Sequence, residues 1–81
     1  MKIKVTNVSR CSGGAHAIFD VLVNDTIPKK YSEEIDKMKD FVNSLSDRDI
    51  ALTLMYCEIK KAGATTPTQI KTALLNKEWE W

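Results

Sequence analysis

The sequence predicts an α+β fold in which an N-terminal antiparallel β-hairpin packs on three α-helices, in the order ββααα. Three observations support this fold: apolar residues alternate in the first part of the chain, they follow helical spacing in the rest, and helix-start signals separate the helical segments. The 81 residues, of which 43% are apolar and 28% charged, are typical of one small globular domain spanning residues 1–81.

The hairpin is predicted over about residues 2–24. Ile3 and Val5 alternate with polar neighbours in the first strand, and a Ser-Gly-Gly turn follows at residues 12–14. One face of the second strand carries Ala15, Ala17, Phe19, Val21 and Val23. Because an isolated two-stranded sheet is only marginally stable, we expect helices to pack on this face. A short third strand at residues 29–31 remains an alternative.

Helices are predicted at about residues 33–44, 47–62 and 67–77. Ser32 and Ser46 are suitable N-cap residues for the first two, and Gly63 is placed to end the second in the left-handed conformation. The second helix is the most apolar segment of the chain, so we expect it to be the central and most buried one. Residues 66–69 (Thr-Pro-Thr-Gln) form a capping box that opens the third helix.

The charge balance disfavours nucleic acid and membrane surfaces as partners. Twelve basic and eleven acidic side chains give a net charge of +1, and no uninterrupted apolar run reaches the length of about 18 residues that a membrane span needs. Cys11 and Cys57 lie in different settings, which does not indicate a disulfide framework. We therefore expect a small soluble cytoplasmic protein with reduced thiols and no membrane partner.

Catalytic and metal-binding patterns are incomplete in this sequence. Cys11 and His16 flank the glycine turn and would offer a nucleophile and a base, but no third orienting group accompanies them. Two cysteines and one histidine without C-x-x-C spacing do not make a four-ligand zinc site, and the Ser-Gly-Gly turn lacks the context of a phosphate-binding loop. We expect no enzyme activity, no catalytic residue, no metal and no cofactor.

Apolar side chains at two places instead indicate a non-enzymatic interaction or accessory protein that binds another macromolecule, most simply a protein. The candidate partner-binding residues are His16, Ile18, Leu22, Trp79 and Trp81. The first three lie on the outer face of the hairpin, whereas indoles near a chain end either fold back on the core or anchor an interface. An exposed edge on the first strand is an alternative that the sequence leaves open, and two copies that paired through it would form a homodimer.

The alternative function is a DNA-binding regulator that uses a helix-turn-helix-like pair, with helices 47–62 and 67–77. Its candidate DNA-contacting side chains are Thr68, Gln69, Lys71, Thr72 and Asn76. The connection between the two helices differs from the usual tight turn, and the balanced charge predicts weak phosphate anchoring.

The opening residues 2–9, the glycine turn and the compact helical second half resemble small uncharacterised proteins carried by enterobacterial prophages. The resemblance spans the whole chain and includes no functional residues. It implies a bacterial cytoplasmic accessory protein of unknown activity.

Overall fold

The computed structural model describes residues 1–10, 16–41 and 46–81. In chain order the described elements are β1 (Lys2–Arg10), β2 (Ala17–Val23), β3 (Ile27–Glu33), a 3₁₀ helix (Ile35–Phe41), α1 (Asp47–Ala62), α2 (Pro67–Leu74) and β4 (Glu78–Glu80). The predicted α+β class is therefore confirmed, and the strands come first as expected. The ββααα order is wrong in detail, because the described sheet has four strands and the last of them follows the helices.

The predicted hairpin between β1 and β2 is confirmed, although its turn at residues 11–15 lies outside the described part of the chain. The two strands pair antiparallel, and a bulge between Val5 and Asn7 adds one residue to β1. Strict alternation after Ile3 and Val5 would turn Asn7 toward the core. The extra residue instead places Val8 opposite Phe19, so that β1 keeps an apolar residue on the buried face.

The third strand is longer than the alternative at residues 29–31. Asn24 and Asp25 adopt positive φ angles in a tight turn, after which β3 pairs with β2 along its whole length. The helix predicted at residues 33–44 is present as a 3₁₀ helix over Ile35–Phe41, but its predicted start with Ser32 as N-cap is wrong, since Ser32 lies in β3 opposite Ile18. Because Ser32 and Glu33 pair with β2, they are part of the sheet and do not start a helix. A 3₁₀ helix follows, and residues 42–44 lie outside the described part.

The fourth strand was not predicted, and it changes the position of β1 in the sheet. The helix predicted to reach residue 77 ends at Leu74, because Asn76 adopts a left-handed conformation with φ 65° and turns the chain toward β1. The Asn76 N–H donates to the Val5 carbonyl at 2.9 Å, and the Val5 N–H donates to the Lys77 carbonyl at 3.0 Å. The strand order is β3-β2-β1-β4. The alternative in which β1 forms an exposed edge is therefore wrong.

The core lies between the inner face of the sheet and the helices. Its largest fully buried side chains are Phe19, Ile3, Met38, Leu52, Met55, Leu74, Val5 and Val21. The bounds of α1 match the prediction, with Ser46 as its N-cap and Gly63 ending it at φ 67°. The expectation that α1 is the most buried helix holds for one face only, because Cys57 is exposed. A single helical layer leaves the other face of α1 in solvent.

Candidate functional site

Of the predicted partner-binding residues, Ile18 and Leu22 lie on the outer face of the sheet and His16 immediately precedes β2; all three are half-buried. Three cross-strand rows cross this face: Lys4–Leu22–Pro28, Asn7–Asp20–Lys30 and Ser9–Ile18–Ser32. The middle row is polar. Lys30 Nζ lies 3.2 Å from Asp20 Oδ1, and the Asn7 side-chain amide donates to Asp20 Oδ2 at 3.5 Å. This row separates Ile18 from Leu22, so the two do not form one continuous apolar patch.

The C-terminal tryptophans lie on the other side of the sheet. Trp79 pairs with Ile3 in β4, and both indoles are half-buried against the core. Trp81 Nε1 donates to Asp47 Oδ1 at 3.2 Å, which ties the end of the chain to the first turn of α1. The two predicted groups of partner-binding residues are therefore separated by the sheet and do not form a single surface.

The five predicted DNA-contacting side chains are all exposed. Two of them are engaged with the backbone of their own segment. The Gln69 side-chain oxygen accepts from the Thr65 and Thr66 N–H groups at 2.9 and 3.3 Å, as the predicted capping box requires. The Thr72 hydroxyl donates to the Thr68 carbonyl at 3.0 Å. Lys71 is the one formally charged member of the set.

Cys11 lies outside the described residues, so its proximity to His16 stays a prediction. Cys57 has a free, exposed thiol. Over residues 1–10, 16–41 and 46–81, no group of three or more His, Cys, Asp or Glu side chains is arranged to hold a metal ion. No helix in the same ranges is long and apolar enough to cross a membrane.

A groove that the sequence did not predict lies where β1 ends, between the start of the 3₁₀ helix and the last turns of α1. Its volume is about 610 Å³. Of its three isoleucines, Ile35 is half-buried, whereas Ile59 and Ile70 are each only 2% exposed and add little accessible surface. We call this space the isoleucine groove. Its apolar residues come from three separate helices, so their packing fixes its shape.

Charged and polar side chains surround the isoleucine groove. Arg10 comes from the end of β1, Glu34 immediately precedes the 3₁₀ helix, Asp36 lies in its first turn, and Tyr56 and Lys60 come from one face of α1. Both signs of charge are therefore present around the groove. A ligand held there would bury an apolar group and orient itself through ion pairs.

The junction between β3 and the 3₁₀ helix fixes the acidic side of the isoleucine groove. Glu33 Oε1 accepts from the Glu34 N–H at 2.8 Å, and Glu33 Oε2 accepts from Arg48 Nη2 at 3.3 Å. The backbone hydrogen bond, followed by the Arg48 contacts, lowers the pKa of Glu33 below its ordinary value. Glu34 itself lies 3.9 Å from His16 Nε2 and 3.8 Å from Lys37 Nζ.

Sequence reasoning missed the groove because its residues come from five separated segments of the chain. Tyr56, Ile59 and Lys60 share one helical face, and this was the only local signal available. Comparison with protein-family models, with curated proteins and with solved structures gave no match for the chain. Function is therefore inferred from the side chains and their surroundings alone.

Proposed function

We propose that this protein is a non-enzymatic interaction protein that holds a short segment of another protein in the isoleucine groove. The observation that carries the proposal is a groove of about 610 Å³ in which three half-buried side chains, Ile35, Tyr56 and Ala64, lie beside charged side chains of both signs. Ligand pockets have volumes of roughly 300–1,000 Å³ and combine apolar walls with a few orienting polar groups. The resemblance to small prophage proteins implies a bacterial cytoplasmic protein, and we propose that the binding takes place there.

The residue types around the groove support a protein segment as its ligand. Tyr56 and Arg10 belong to the residue types that most often dominate binding energy at protein interfaces. Tyr56 is half-buried, so part of its ring contacts the core while the rest stays accessible. A bound segment can therefore stack an apolar side chain against an ordered ring.

A displayed library of random linear peptides tests this function. We expect selected peptides to share an aliphatic or aromatic residue and to bind more tightly than about 1 mM. On titration, backbone amide shifts should change at Ile35, Tyr56, Lys60 and Thr65. Selection of no binder, or shift changes confined to the outer face around Ile18, would overturn the proposal.

Two variants with matched controls locate the binding. Tyr56→Ala removes the ring beside the groove, and its control Cys57→Ala alters the next residue, which is exposed and outside the groove lining. Lys60→Ala and Lys61→Ala form a second pair, in which both side chains are exposed and only Lys60 lines the groove. We expect the first member of each pair to weaken peptide binding and the second to leave it unchanged. Because Lys60 is exposed, this pair remains informative even where Tyr56→Ala lowers stability.

DNA binding through α2 is the second candidate function, supported by the exposure of Thr68 and Lys71 on that helix. It requires a duplex affinity that falls steeply with salt concentration and is weakened in Lys71→Ala. A gel-shift titration at low ionic strength measures both effects. Absence of any shift would remove this candidate.

A further inference from the structure

The 3₁₀ helix is attached to the core through a single fully buried side chain. It has seven residues, whereas 3₁₀ helices rarely exceed about three or four, because their hydrogen bonds have poorer geometry than those of an α-helix. Over Ile35–Phe41, all of which the structure describes, Met38 is the one buried side chain, at 0% exposed. Over its own described length, α1 buries four side chains, those of Ala51, Leu52, Met55 and Ile59.

The other contacts of the 3₁₀ helix lie partly in solvent. Ile35 and Phe41 are half-buried against the core, and the Arg48 guanidinium lies 5.5 Å from the Phe41 ring centroid. The two ion pairs of Glu34 at its start, at 3.8 and 3.9 Å, have both partners more than a third exposed. Exposed pairs contribute little to stability. Burial of the methionine is therefore the main interaction that keeps this helix on the core.

From this arrangement we infer that the 3₁₀ helix opens while the sheet, α1 and α2 stay folded, and that oxidation of Met38 by a peroxide keeps it open. Proteins open locally in contiguous units, and the units with few buried apolar contacts open at the lowest free energies. A helix with one buried side chain and partly exposed remaining contacts is such a unit. The opening does not depend on the function proposed for the isoleucine groove.

Oxidation converts the opening into a switch. In the open state the Met38 sulfur takes one oxygen atom from hydrogen peroxide: the O–O bond breaks, an S–O bond forms, and the remainder of the peroxide leaves as water. The sulfur is oxidised by two electrons to the sulfoxide, and the peroxide is reduced by the same two. The sulfoxide is polar, so its return to the apolar core is unfavourable. Because Ile35 and Asp36 also line the isoleucine groove, opening removes part of that lining.

The three methionines of the chain provide an internal test. Met38 and Met55 are both 0% exposed, whereas Met1 is 38% exposed. The full chain, with its thiols alkylated, is treated with hydrogen peroxide, and mass spectrometry gives the initial oxidation rate at each methionine. When oxidation is slow relative to opening and closing, each rate follows the fraction of molecules in which that sulfur is accessible.

We expect Met1 to react fastest, and Met38 to react at least about tenfold faster than Met55. The two buried sulfurs have the same exposure in the folded state, so a difference between them reports local opening of the 3₁₀ helix. Equal rates at Met38 and Met55 would show that both become accessible only through global unfolding, and would overturn the inference.

A matched pair of variants tests whether the sulfoxide keeps the helix open. Met38→Leu removes the sulfur from the 3₁₀ helix at nearly constant volume, and Met55→Leu does the same in α1. After peroxide treatment of Met55→Leu, we expect the backbone amide shifts of residues 36–41 to move to unfolded positions while those of β2 and α1 stay. The treated Met38→Leu chain should keep all of these shifts. Unchanged shifts in treated Met55→Leu, or simultaneous loss of the β2 and α1 shifts, would contradict the switch.

Discussion

The two faces of β2 differ sharply, although they belong to the same seven residues. On the inner face Ala17, Phe19, Val21 and Val23 are at most 3% exposed. On the outer face Ile18, Asp20 and Leu22 are half-buried, and the polar row through Asp20 runs between the two apolar residues. The inner face therefore supplies the core, while the outer face is held by weaker cross-strand pairs.

This difference explains why the outer face offers a poor binding surface. A binding surface needs a contiguous apolar centre, and alternation in a single strand provides only every second residue. The isoleucine groove instead brings together half-buried apolar side chains from separate elements, Ile35 from the 3₁₀ helix, Tyr56 from α1 and Ala64 from the segment after α1.

The largest expected effect comes from truncation on the inner face. Phe19 is 0% exposed, so Phe19→Ala should lower the free energy of unfolding by about 3–5 kcal/mol. Ile18→Ala, one residue away on the outer face, should cost no more than about 1 kcal/mol because Ile18 is only half-buried. Chemical denaturation of both variants measures the difference. Equal losses would show that the two faces are not energetically distinct.

Arg48 joins the edge of the sheet to the helical layer, and its removal should have the next largest effect. Its Nη2 donates to the Ser32 carbonyl at 2.9 Å, and its guanidinium lies 5.5 Å from the Phe41 ring centroid. Arg48→Ala should cost about 1 kcal/mol, because the contacts are partly exposed to solvent. Lys29→Ala removes an exposed cation from β3 and should change stability by less than about 0.5 kcal/mol. Thermal and chemical unfolding measure the stability of both variants. Equal losses in Arg48→Ala and Lys29→Ala would show that Arg48 does not join the sheet to the helical layer.

The polar row on the outer face should contribute less. Asp20→Ala removes the 3.2 Å pair with Lys30 and the acceptor of the Asn7 amide. Cross-strand pairs contribute roughly 0.2–1 kcal/mol, so we expect a loss of about 0.5 kcal/mol. Lys4→Ala, on the same face without a described ion pair, serves as the control. A loss in Asp20→Ala as large as that in Phe19→Ala would contradict the comparison of the two faces.

The smallest expected effect is a pH dependence from Glu33. Its pKa in the folded state lies below the ordinary value, first because of the hydrogen bond from the Glu34 N–H and then because of Arg48. The stabilising contribution is therefore present above the unfolded-state pKa of about 4.3 and is lost as pH falls through the lower folded-state pKa. Glu33→Gln should flatten the decrease in melting temperature between about pH 4 and pH 2. An unchanged slope would show that another group controls acid unfolding.

The helix boundaries that the sequence predicted correctly all depend on neighbouring residues. The Ser46 side chain accepts from the Asp49 N–H, and Gly63 provides the left-handed end of α1. The capping box at Thr66 and Gln69 is present as predicted. Such signals involve residues within four positions of one another, so the sequence displays them directly.

The elements that were missed depend on distant partners. A run of three residues, Glu-Trp-Glu, has no strand pattern of its own, and β4 exists because Trp79 lies opposite Ile3. Ser32 has the chemistry of an N-cap, yet pairing with Ile18 keeps it in β3. The groove likewise joins residues as far apart as Arg10 and Ile70. None of these contacts produces a recognisable pattern among neighbouring residues of the sequence.

By itself, the sequence determined the α+β class, the buried face of β2, the start and end of α1 and the start of α2. These follow from hydrophobic periodicity and from caps, which act over a few residues. Only the tertiary structure decided the fourth strand, the interior position of β1 and the isoleucine groove. These depend on hydrogen bonds and packing between segments that the chain brings together only when it folds.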